Sequence, residues 1–259
     1  MYISDVRPEY ESTYFACLEN WNSQLKNVAH VKSEWYNEMF RKGLVVKLAI
    51  EDEEPVGMIE AMPIEHSYAM GDSLFIINCI WVHGYDGKGP GNRQGKGIGK
   101  ALLQALEDDV SNRGVNGLAA WGLSEPVWMS AAWFEKHGYT KVDQVGWMVL
   151  LWKSFTTNAM APRWIKGSFE QRQIPGKIAV TAFRSGQCCS ENSVYERAAR
   201  IAAEFPEDVI FEGIDMRKPE NRKSYGLCGG LYINGKNIFS GPPPTDNDIR
   251  KTILELRGK

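Results

Sequence analysis

The segment Gln94-Gly95-Lys96-Gly97-Ile98-Gly99-Lys100 constrains this chain most, because three glycines fall within five residues where a predicted strand gives way to a predicted helix. Glycine lets backbone N–H groups converge without obstruction by a Cβ atom. A helix start adds a partial positive charge. Glycines there would cost helix stability without a compensating contact, so the segment predicts a cradle for a diphosphate group.

Spacing separates the families that build such cradles. A Walker A loop needs a glycine ahead of Gly-Lys, with four residues between, and then serine or threonine. Gly99-Lys100 instead has Gln94 upstream and Ala101 next, and the Gly95-Lys96 frame fails in the same way. A dinucleotide fingerprint needs Gly-x-Gly-x-x-Gly, and Lys100 stands where the last glycine belongs. Both families are therefore excluded.

Residues 1 to 153 resemble the GNAT superfamily of acetyl-CoA-dependent N-acyltransferases. Gln94, Gly97 and Gly99 match its Gln/Arg-x-x-Gly-x-Gly/Ala signature, and residues 133–139 are similar to its Phe-Tyr-Glu-Lys-x-Gly-Phe segment. The predicted order ααβββαβαβ is also the order of that family. In this chain, helices are predicted over 8–20, 31–42, 95–113 and 128–137, and strands over 44–50, 56–64, 74–82, 118–123 and 145–152. The resemblance implies an α/β GNAT fold with a mixed central sheet, and direct attack of an amine on the thioester of acetyl-CoA.

The same resemblance implies which residues hold this co-substrate. Backbone groups of Ile80 and Val82 would face the pantetheine arm. Lys96 and Lys100 are expected to be solvated charges near the phosphates, because helix dipole and amides suffice to bind them. Phe134 aligns with a tyrosine at the cofactor site. The pyrophosphate would be held by the cradle residues Gln94, Gly95, Lys96, Gly97, Ile98, Gly99 and Lys100.

The connection from Val82 to Gln94 is longer than the family usually has. The added stretch 83–91 contains four glycines and adjoins the expected cofactor mouth. We interpret it either as a substrate lid or as a tolerated loop.

Phe134 stands where the family usually has its general acid tyrosine. A phenyl ring cannot protonate the departing CoA thiolate. Either another group or water does so, or the thiolate leaves unaided, or this domain has drifted from efficient catalysis.

An amine acceptor must lose a proton before it attacks, since an aliphatic ammonium has a pKa of about 10.4. On the predicted strand 56–64, parity puts Glu60 among apolar side chains, where burial disfavours its charged form. Glu60 is therefore the candidate general base, and an edge-facing or ion-paired Glu60 is an equal alternative. His83 and Glu125 are weaker candidates. Parity also puts Asn78 on one face with Leu74, Ile76, Ile80 and Val82.

A change in composition along the chain predicts two domains. All nine tryptophans lie at or before residue 164, whereas three of the five cysteines follow it. The stretch 154–176 shows neither hydrophobic period and predicts a connector. The predicted organisation is a domain over 1–153, the connector 154–176 and a second domain over 177–259.

The second domain has the predicted order β-α-β-α-β-β-α, which resembles a smaller thioredoxin-like α/β domain. Cys188 and Cys189 are adjacent instead of spaced as Cys-x-x-Cys, so standard disulfide exchange is not expected. The fold implied by the resemblance puts Cys228 opposite them, in a cluster suited to a soft metal or redox chemistry. Small buried or idle cysteines are the alternative. Cys-Gly-Gly before the predicted hairpin and Gly-Pro-Pro-Pro after it are similar to the YoaP-like domain of bacterial proteins.

Charge and composition exclude several functions. Thirty basic against 32 acidic residues give a net charge of −2, which provides no field for nucleic acid or an anionic membrane. Apolar runs fall far short of the ~20 residues of a membrane helix. The N-terminus shows no secretory signal, and five cysteines argue against a disulfide framework, so a cytoplasmic protein is expected.

These observations predict an acetyl-CoA-dependent N-acetyltransferase. Its acceptor would be the amine of a small molecule or a peptide, with no metal, no nucleic acid and no membrane as partner, and the resemblance allows a homodimer. The alternative is a degenerate, CoA-binding GNAT domain that senses thiols or metal through Cys188, Cys189 and Cys228.

Overall fold

The computed structural model describes residues 1–239 and 241–258, which form two compact units. The first unit comprises residues 1–21 and 36–165, and the second comprises residues 22–35 together with the chain from Lys166 onward. The boundary after Ile165 lies inside the predicted connector. Residues 22–35 group with the second unit, because Arg197 donates to Gln24 at 2.6 Å and Arg217 pairs with Glu34 at 3.5 Å.

Up to residue 165, strands and helices alternate in a pattern close to the predicted one. In chain order they are β1 (Tyr2–Asp5), α1 (Pro8–Phe15), α2 (Ser23–Asn27), α3 (Ala29–Phe40), β2 (Val45–Glu51), β3 (Glu54–Pro63), β4 (Ala69–Met70), β5 (Leu74–Val82), α4 (Ile98–Ser111), β6 (Gly117–Leu123), α5 (Ala131–Lys136), β7 (Thr140–Val145), β8 (Met148–Ser154) and β9 (Arg163–Trp164).

The central sheet of the first unit has seven strands in the order β1-β2-β3-β5-β6-β8-β7. All neighbours are antiparallel except β5 and β6, so the predicted mixed sheet is confirmed. The parallel pairing of β5 with β6 ends at Ile77 and Ala120. Beyond these residues, the ends of the two strands are not paired with each other.

An extra residue in β5 shifts its register against β3. Ala61 pairs with Ile77 but Glu60 pairs with Cys79, which leaves Asn78 as the residue of a β-bulge. A bulge exchanges the two faces of a strand for every residue beyond it. Phe75, Ile77 and Ile80 accordingly share one core. The prediction that Asn78 shares one face with Leu74, Ile76, Ile80 and Val82 is therefore wrong.

Helix α4 packs on this sheet through a continuous apolar face. Ile98, Leu102, Leu106 and Val110 are buried in the same core as strands β3 and β5. Gly57 of β3 allows the close approach, since a Cβ at this position would lie 3.0 Å from both Ile98 and Leu102 side chains. The apolar face of α4 thus holds the first turn of the helix, at Ile98, against β3.

Several short elements differ from the sequence prediction. Helix α1 ends at Phe15, because Cys17 and Leu18 adopt positive φ angles of 52° and 64°. Strands β1 and β7 were not predicted, and β7 forms a hairpin with β8 around Gly146. Within residues 1–239 and 241–258, no helix is long and apolar enough to cross a membrane.

The second unit has a four-stranded sheet in the order β11-β10-β12-β13, parallel between β10 and β11 and otherwise antiparallel. The element order is the predicted β-α-β-α-β-β-α. Asn234 and Gly235 form the hairpin turn with positive φ angles, and Thr245 and Asp248 cap the last helix reciprocally. The elements are β10 (Ile178–Arg184), α6 (Cys189–Ala202), β11 (Val209–Asp215), α7 (Pro219–Tyr225), β12 (Leu231–Ile233), β13 (Lys236–Asn237) and α8 (Asp246–Arg257).

Part of the predicted connector is built into the second unit through Gln171. Its buried amide donates to the carbonyl of Ala179 at 3.1 Å, to the hydroxyl of Thr181 at 2.9 Å and to the carbonyl of Tyr232 at 3.2 Å. Its oxygen accepts from the N–H of Gly235 in the hairpin turn. This side chain therefore joins strands β10 and β12 to the incoming chain.

We expect Gln171→Ala to lower the free energy of unfolding by about 1–3 kcal/mol, because it leaves buried backbone groups without their partner. Urea unfolding followed by circular dichroism measures the change. Gln173→Ala is the control, since Gln173 is exposed two residues away. Equal effects of the two substitutions would contradict the role assigned to Gln171.

Candidate active site

The glycine-rich cradle lies directly before α4, as the sequence predicts. Gly97 is the N-cap residue with φ 81° and ψ 0°, and Gly95 has φ 75°. A Cβ at either position would meet no atom within 4 Å, so the left-handed backbone and not lack of space requires glycine. Gly99 differs, because a Cβ there would lie 3.4 Å from the Trp133 ring.

The electrostatics of the cradle favour an anion. The first N–H groups of a helix have no partner inside the helix and carry a partial positive charge. Helix α4 has no acidic residue in its first turn, and Lys96 and Lys100 are exposed beside it. Residues 94–97 are exposed whereas Ile98 is buried. The cradle is therefore open to solvent, and the buried side chain of Ile98 attaches its end to the core.

Gln94 ties the cradle to the end of β5. Its side-chain amide donates to the carbonyl oxygen of Val82 at 3.0 Å, and its own backbone N–H donates to the side chain of Asn92 at 3.0 Å. Gln94 thus connects the end of β5, at Val82, to the cradle, residues 95–100.

Two indole groups bond to the free edge of β5 where it no longer pairs with β6. Trp121 donates to the carbonyl of Asn78 at 2.8 Å, and Trp128 donates to the carbonyl of Ile80 at 3.1 Å. The two rings lie 5.4 Å apart at 79°. Trp128 is 43% exposed although it is held at the strand edge. Sequence reasoning missed this role, and the number of tryptophans was its only signal.

Glu60 is fully buried on β3, among apolar residues as predicted. The hydroxyl of Tyr14 donates to its carboxylate at 2.6 Å. Tyr14 is itself buried and makes ring contacts of 5.5 Å with Phe15 and Tyr36. Helix α1 therefore covers Glu60 and supplies a hydrogen bond to it.

The weaker candidates lie in different surroundings. Glu125 is exposed. The side-chain amide of Asn78 is buried at the bulge and has no hydrogen-bond partner among the described residues. His83 is buried, accepts from the indole N–H of Trp21 at 3.2 Å and donates to the carbonyl of Gly91 at 2.9 Å. Both ring nitrogens of His83 thus have a hydrogen-bond partner.

The inserted stretch 83–91 is anchored in this structure despite its four glycines. His83 bonds to its far end at Gly91, and the N–H of Arg93 donates to the carbonyl of His83 at 2.8 Å. The ring of Tyr85 packs edge-on against Trp21 at 5.3 Å. These contacts hold Tyr85 and both ends of the stretch beside the end of β5.

Phe134 is fully buried in the core of the first unit, where it contacts Trp133 at 5.1 Å and Tyr139 at 5.5 Å. Phe134 and Ile98 belong to the same core, so the ring supports the start of α4 from inside. Burial raises the pKa of Tyr139 well above its usual range. Phe134 and the buried Tyr139 therefore supply no accessible proton donor.

The cysteines of the second unit lie at the start of α6 and before β12. Cys188 is the N-cap residue of α6, Cys189 is buried, and burial raises the pKa of the partly buried Cys228. Burial likewise raises the pKa of Glu191, against the effect of a hydrogen bond with Ser185. In the part of the chain that the structure describes, no group of three His, Cys, Asp or Glu residues is placed to hold a metal ion.

The chain matches a known family in its first unit. Residues 42–141 match the family model of the acetyltransferase (GNAT) domain. No curated protein sequence matches the chain.

Solved structures that resemble the chain have low identity to it. A ribosomal-protein-alanine N-acetyltransferase from Brucella melitensis is 18% identical, with 60% of this chain and 100% of that chain covered and a TM-score of 0.46. An aminoglycoside 6'-N-acetyltransferase from Enterococcus faecium is 19% identical, with 61% and 99% covered and a TM-score of 0.42. The paia N-acetyltransferase from Thermoplasma acidophilum, in complex with coenzyme A, is 18% identical, with 60% and 100% covered and a TM-score of 0.44.

The matched residues contain the bulged strand β5, the cradle and α4. Residues 42–141 are therefore similar to a GNAT acetyltransferase domain, and the prediction that the protein is an acetyltransferase enzyme is confirmed.

We expect Tyr14→Phe to lower the free energy of unfolding by about 1–3 kcal/mol, because the buried carboxylate of Glu60 loses a donor. Thermal or urea unfolding measures the loss. Tyr36→Phe is the matched control, since Tyr36 lies in the same aromatic cluster and does not make this bond. A loss for Tyr36→Phe as large as that for Tyr14→Phe would show that the bond to Glu60 is not the cause.

Proposed function

We propose that the protein transfers the acetyl group of acetyl-CoA to an amine by direct attack on the thioester. The single observation that carries this proposal is the open cradle of left-handed glycines before α4, tied by Gln94 to the end of β5. Backbone N–H groups and the partial charge of the helix suit the pyrophosphate there. The coenzyme A bound by a solved structure that resembles this chain supports the same co-substrate.

The pantetheine arm is proposed to run along the free edge of β5, at Ile80 and Val82. Both carbonyls already accept side-chain N–H groups, from Trp128 and from Gln94. Binding would exchange the indole of Trp128 for an amide of the arm. Since one donor replaces another, the carbonyl of Ile80 is not left unpaired in either state.

In the proposed reaction the neutral amine attacks the thioester carbonyl carbon. A C–N bond forms, the C–S bond breaks, the amine loses its proton and CoA leaves as a thiolate. We assign the proton to Glu60, which is enclosed and therefore acts through Tyr14 or a water molecule. Phe134 cannot protonate the thiolate, so the thiolate leaves unaided or takes a proton from water.

The acceptor is proposed to be a small-molecule or peptide amine. The first experiment is transfer from acetyl-CoA to a panel of amines, with free CoA detected by mass spectrometry, because the CoA thiol can react with the cysteines of the protein. Calorimetric titration with acetyl-CoA accompanies it. Absence of acetyl-CoA binding would overturn the proposal.

We expect Gly97→Ala to weaken acetyl-CoA binding roughly tenfold, because left-handed backbone costs about 1–2 kcal/mol with a Cβ and the N–H groups would turn away. Calorimetry measures the affinity. Gly114→Ala is the control, since Gly114 follows the other end of α4 with φ 72° and equally open space. Both variants should lose similar stability, and only Gly97→Ala should lose affinity.

We expect Glu60→Gln to lower kcat/KM about 100-fold while acetyl-CoA affinity stays unchanged, because the amide oxygen still accepts from Tyr14 but takes up no proton. Steady-state kinetics measure the change, and Glu125→Gln is the control on an exposed carboxylate. A large fall for Glu125→Gln and none for Glu60→Gln would assign the base to Glu125.

We further propose that residues 177–259 form a thioredoxin-like, YoaP-like domain after a GNAT domain over 1–153 and a connector over 154–176. The β-α-β-α-β-β-α order and the parallel pairing of β10 with β11 support this. The sensor alternative has weaker support. Burial disfavours the thiolate of Cys228, and the described residues offer no three-ligand metal group.

A further inference from the structure

Four aromatic side chains of the first unit surround the end of β5. We call Trp21, Trp81, His83 and Tyr85 the aromatic box. The ring of Tyr85 lies 5.3 Å from Trp21, 5.6 Å from His83 and 6.1 Å from Trp81. The hydrogen bond from the Trp21 indole to His83 holds the indole in place. The box therefore presents oriented ring faces directly after Val82.

A cation already occupies the box. The ammonium of Lys88, from the inserted stretch 83–91, lies 4.5 Å from the ring centre of Trp21 and 5.9 Å from that of Tyr85. Ring faces attract a cation at such distances. Lys88 is exposed, and Tyr85 is 39% exposed. The ammonium is thus held by ring faces in a place that a solute can reach.

The charge around the box also favours a cation. Burial and the neighbouring carboxylate of Glu19 raise the pKa of Tyr85. Glu19 therefore places a negative charge beside the ring of Tyr85, which the ammonium of Lys88 approaches to 5.9 Å.

We infer that the aromatic box binds an ammonium group of the acceptor in place of Lys88, and that the acceptors are aliphatic diamines or polyamines. The amine that attacks the thioester must be neutral, so it cannot be the group that the ring faces hold. The box therefore holds a second amine, which stays protonated at neutral pH. This inference rests on the proposed function for the reacting amine, whereas the cation site itself does not.

The first test is binding, without acetyl-CoA, of 1,4-diaminobutane compared with 1-aminobutane. Calorimetry gives the affinities, and nitrogen-labelled indole N–H signals in NMR report on Trp21. We expect the diamine to bind roughly tenfold more tightly than the monoamine and to shift the Trp21 signal. Equal affinities with no shift of Trp21 would overturn the inference.

Variants distinguish diamine binding at the aromatic box from the general effect of removing a positive charge. Lys88→Met should tighten diamine binding several-fold, since the competing ammonium is gone, and Lys42→Met in the turn after α3 should not. Trp21→Leu should weaken it roughly tenfold. Tyr85→Leu repeats the test at an exposed ring if Trp21→Leu does not fold. Unchanged affinity in Lys88→Met and Tyr85→Leu would overturn the inference.

Kinetics distinguish this inference from the proposed function. In acetyl transfer, Tyr85→Leu should raise KM for the diamine and leave its kcat and the KM for acetyl-CoA unchanged. Transfer to monoamines and diamines with equal KM in all variants would overturn the diamine inference and keep the proposed function. Diamine binding at the box without any acetyl-CoA binding would overturn the proposed function and support the cation site.

Discussion

One extra residue in β5 controls the geometry of the first unit. At Asn78 the strand changes face against β3, so that Ile80 and Val82 turn toward α4 and lie about 4 Å from the place of a Cβ on Gly99. The parallel pairing with β6 stops at the residue before. The same bulge therefore turns the side chains at the end of β5 toward the cradle. It also leaves the carbonyls of the last residues of β5 without a partner in β6. Without the bulge, the last residues of β5 would continue to pair with β6, and their carbonyls would not be free for other donors.

The cradle depends on this support because glycine loses more backbone freedom on folding than any other residue. Gly95 and Gly97 hold left-handed conformations, and a Cβ at either position would meet no atom within 4 Å. Ile98 is buried immediately afterwards, and Gln94 bonds back to Val82. Each end of the loop is thus attached to the core or to β5. Burial of α4 is what lets the four preceding residues, 94–97, remain exposed in an ordered loop.

Much of this arrangement could be predicted from the sequence, and the reasons for the failures are local. Strand 74–82 is an apolar run and has its predicted bounds, whereas the predicted helix 95–113 begins three residues too early, because Gly95 and Gly97 lie before the start of α4 at Ile98. The bulge was missed because a polar Asn78 inside an apolar run fits a regular strand equally well. Residues 22–35 belong to the second unit, although the sequence places them in the first domain. Their hydrogen bonds and ion pairs involve partners about 170 residues away, such as Arg197, and sequence patterns do not show such distant contacts.

The tryptophans show why composition alone misjudged the site. An indole combines a large apolar surface with one N–H donor, which usually has a hydrogen-bond partner when it is buried. Trp21, Trp121 and Trp128 each donate this N–H at the edge of β5 or the loop after it, to His83, Asn78 and Ile80. They keep the unpaired strand end hydrogen-bonded while leaving it reachable from solvent. A strand edge that is satisfied by side chains can exchange them for a ligand, whereas an edge satisfied by another strand cannot do so without breaking the sheet.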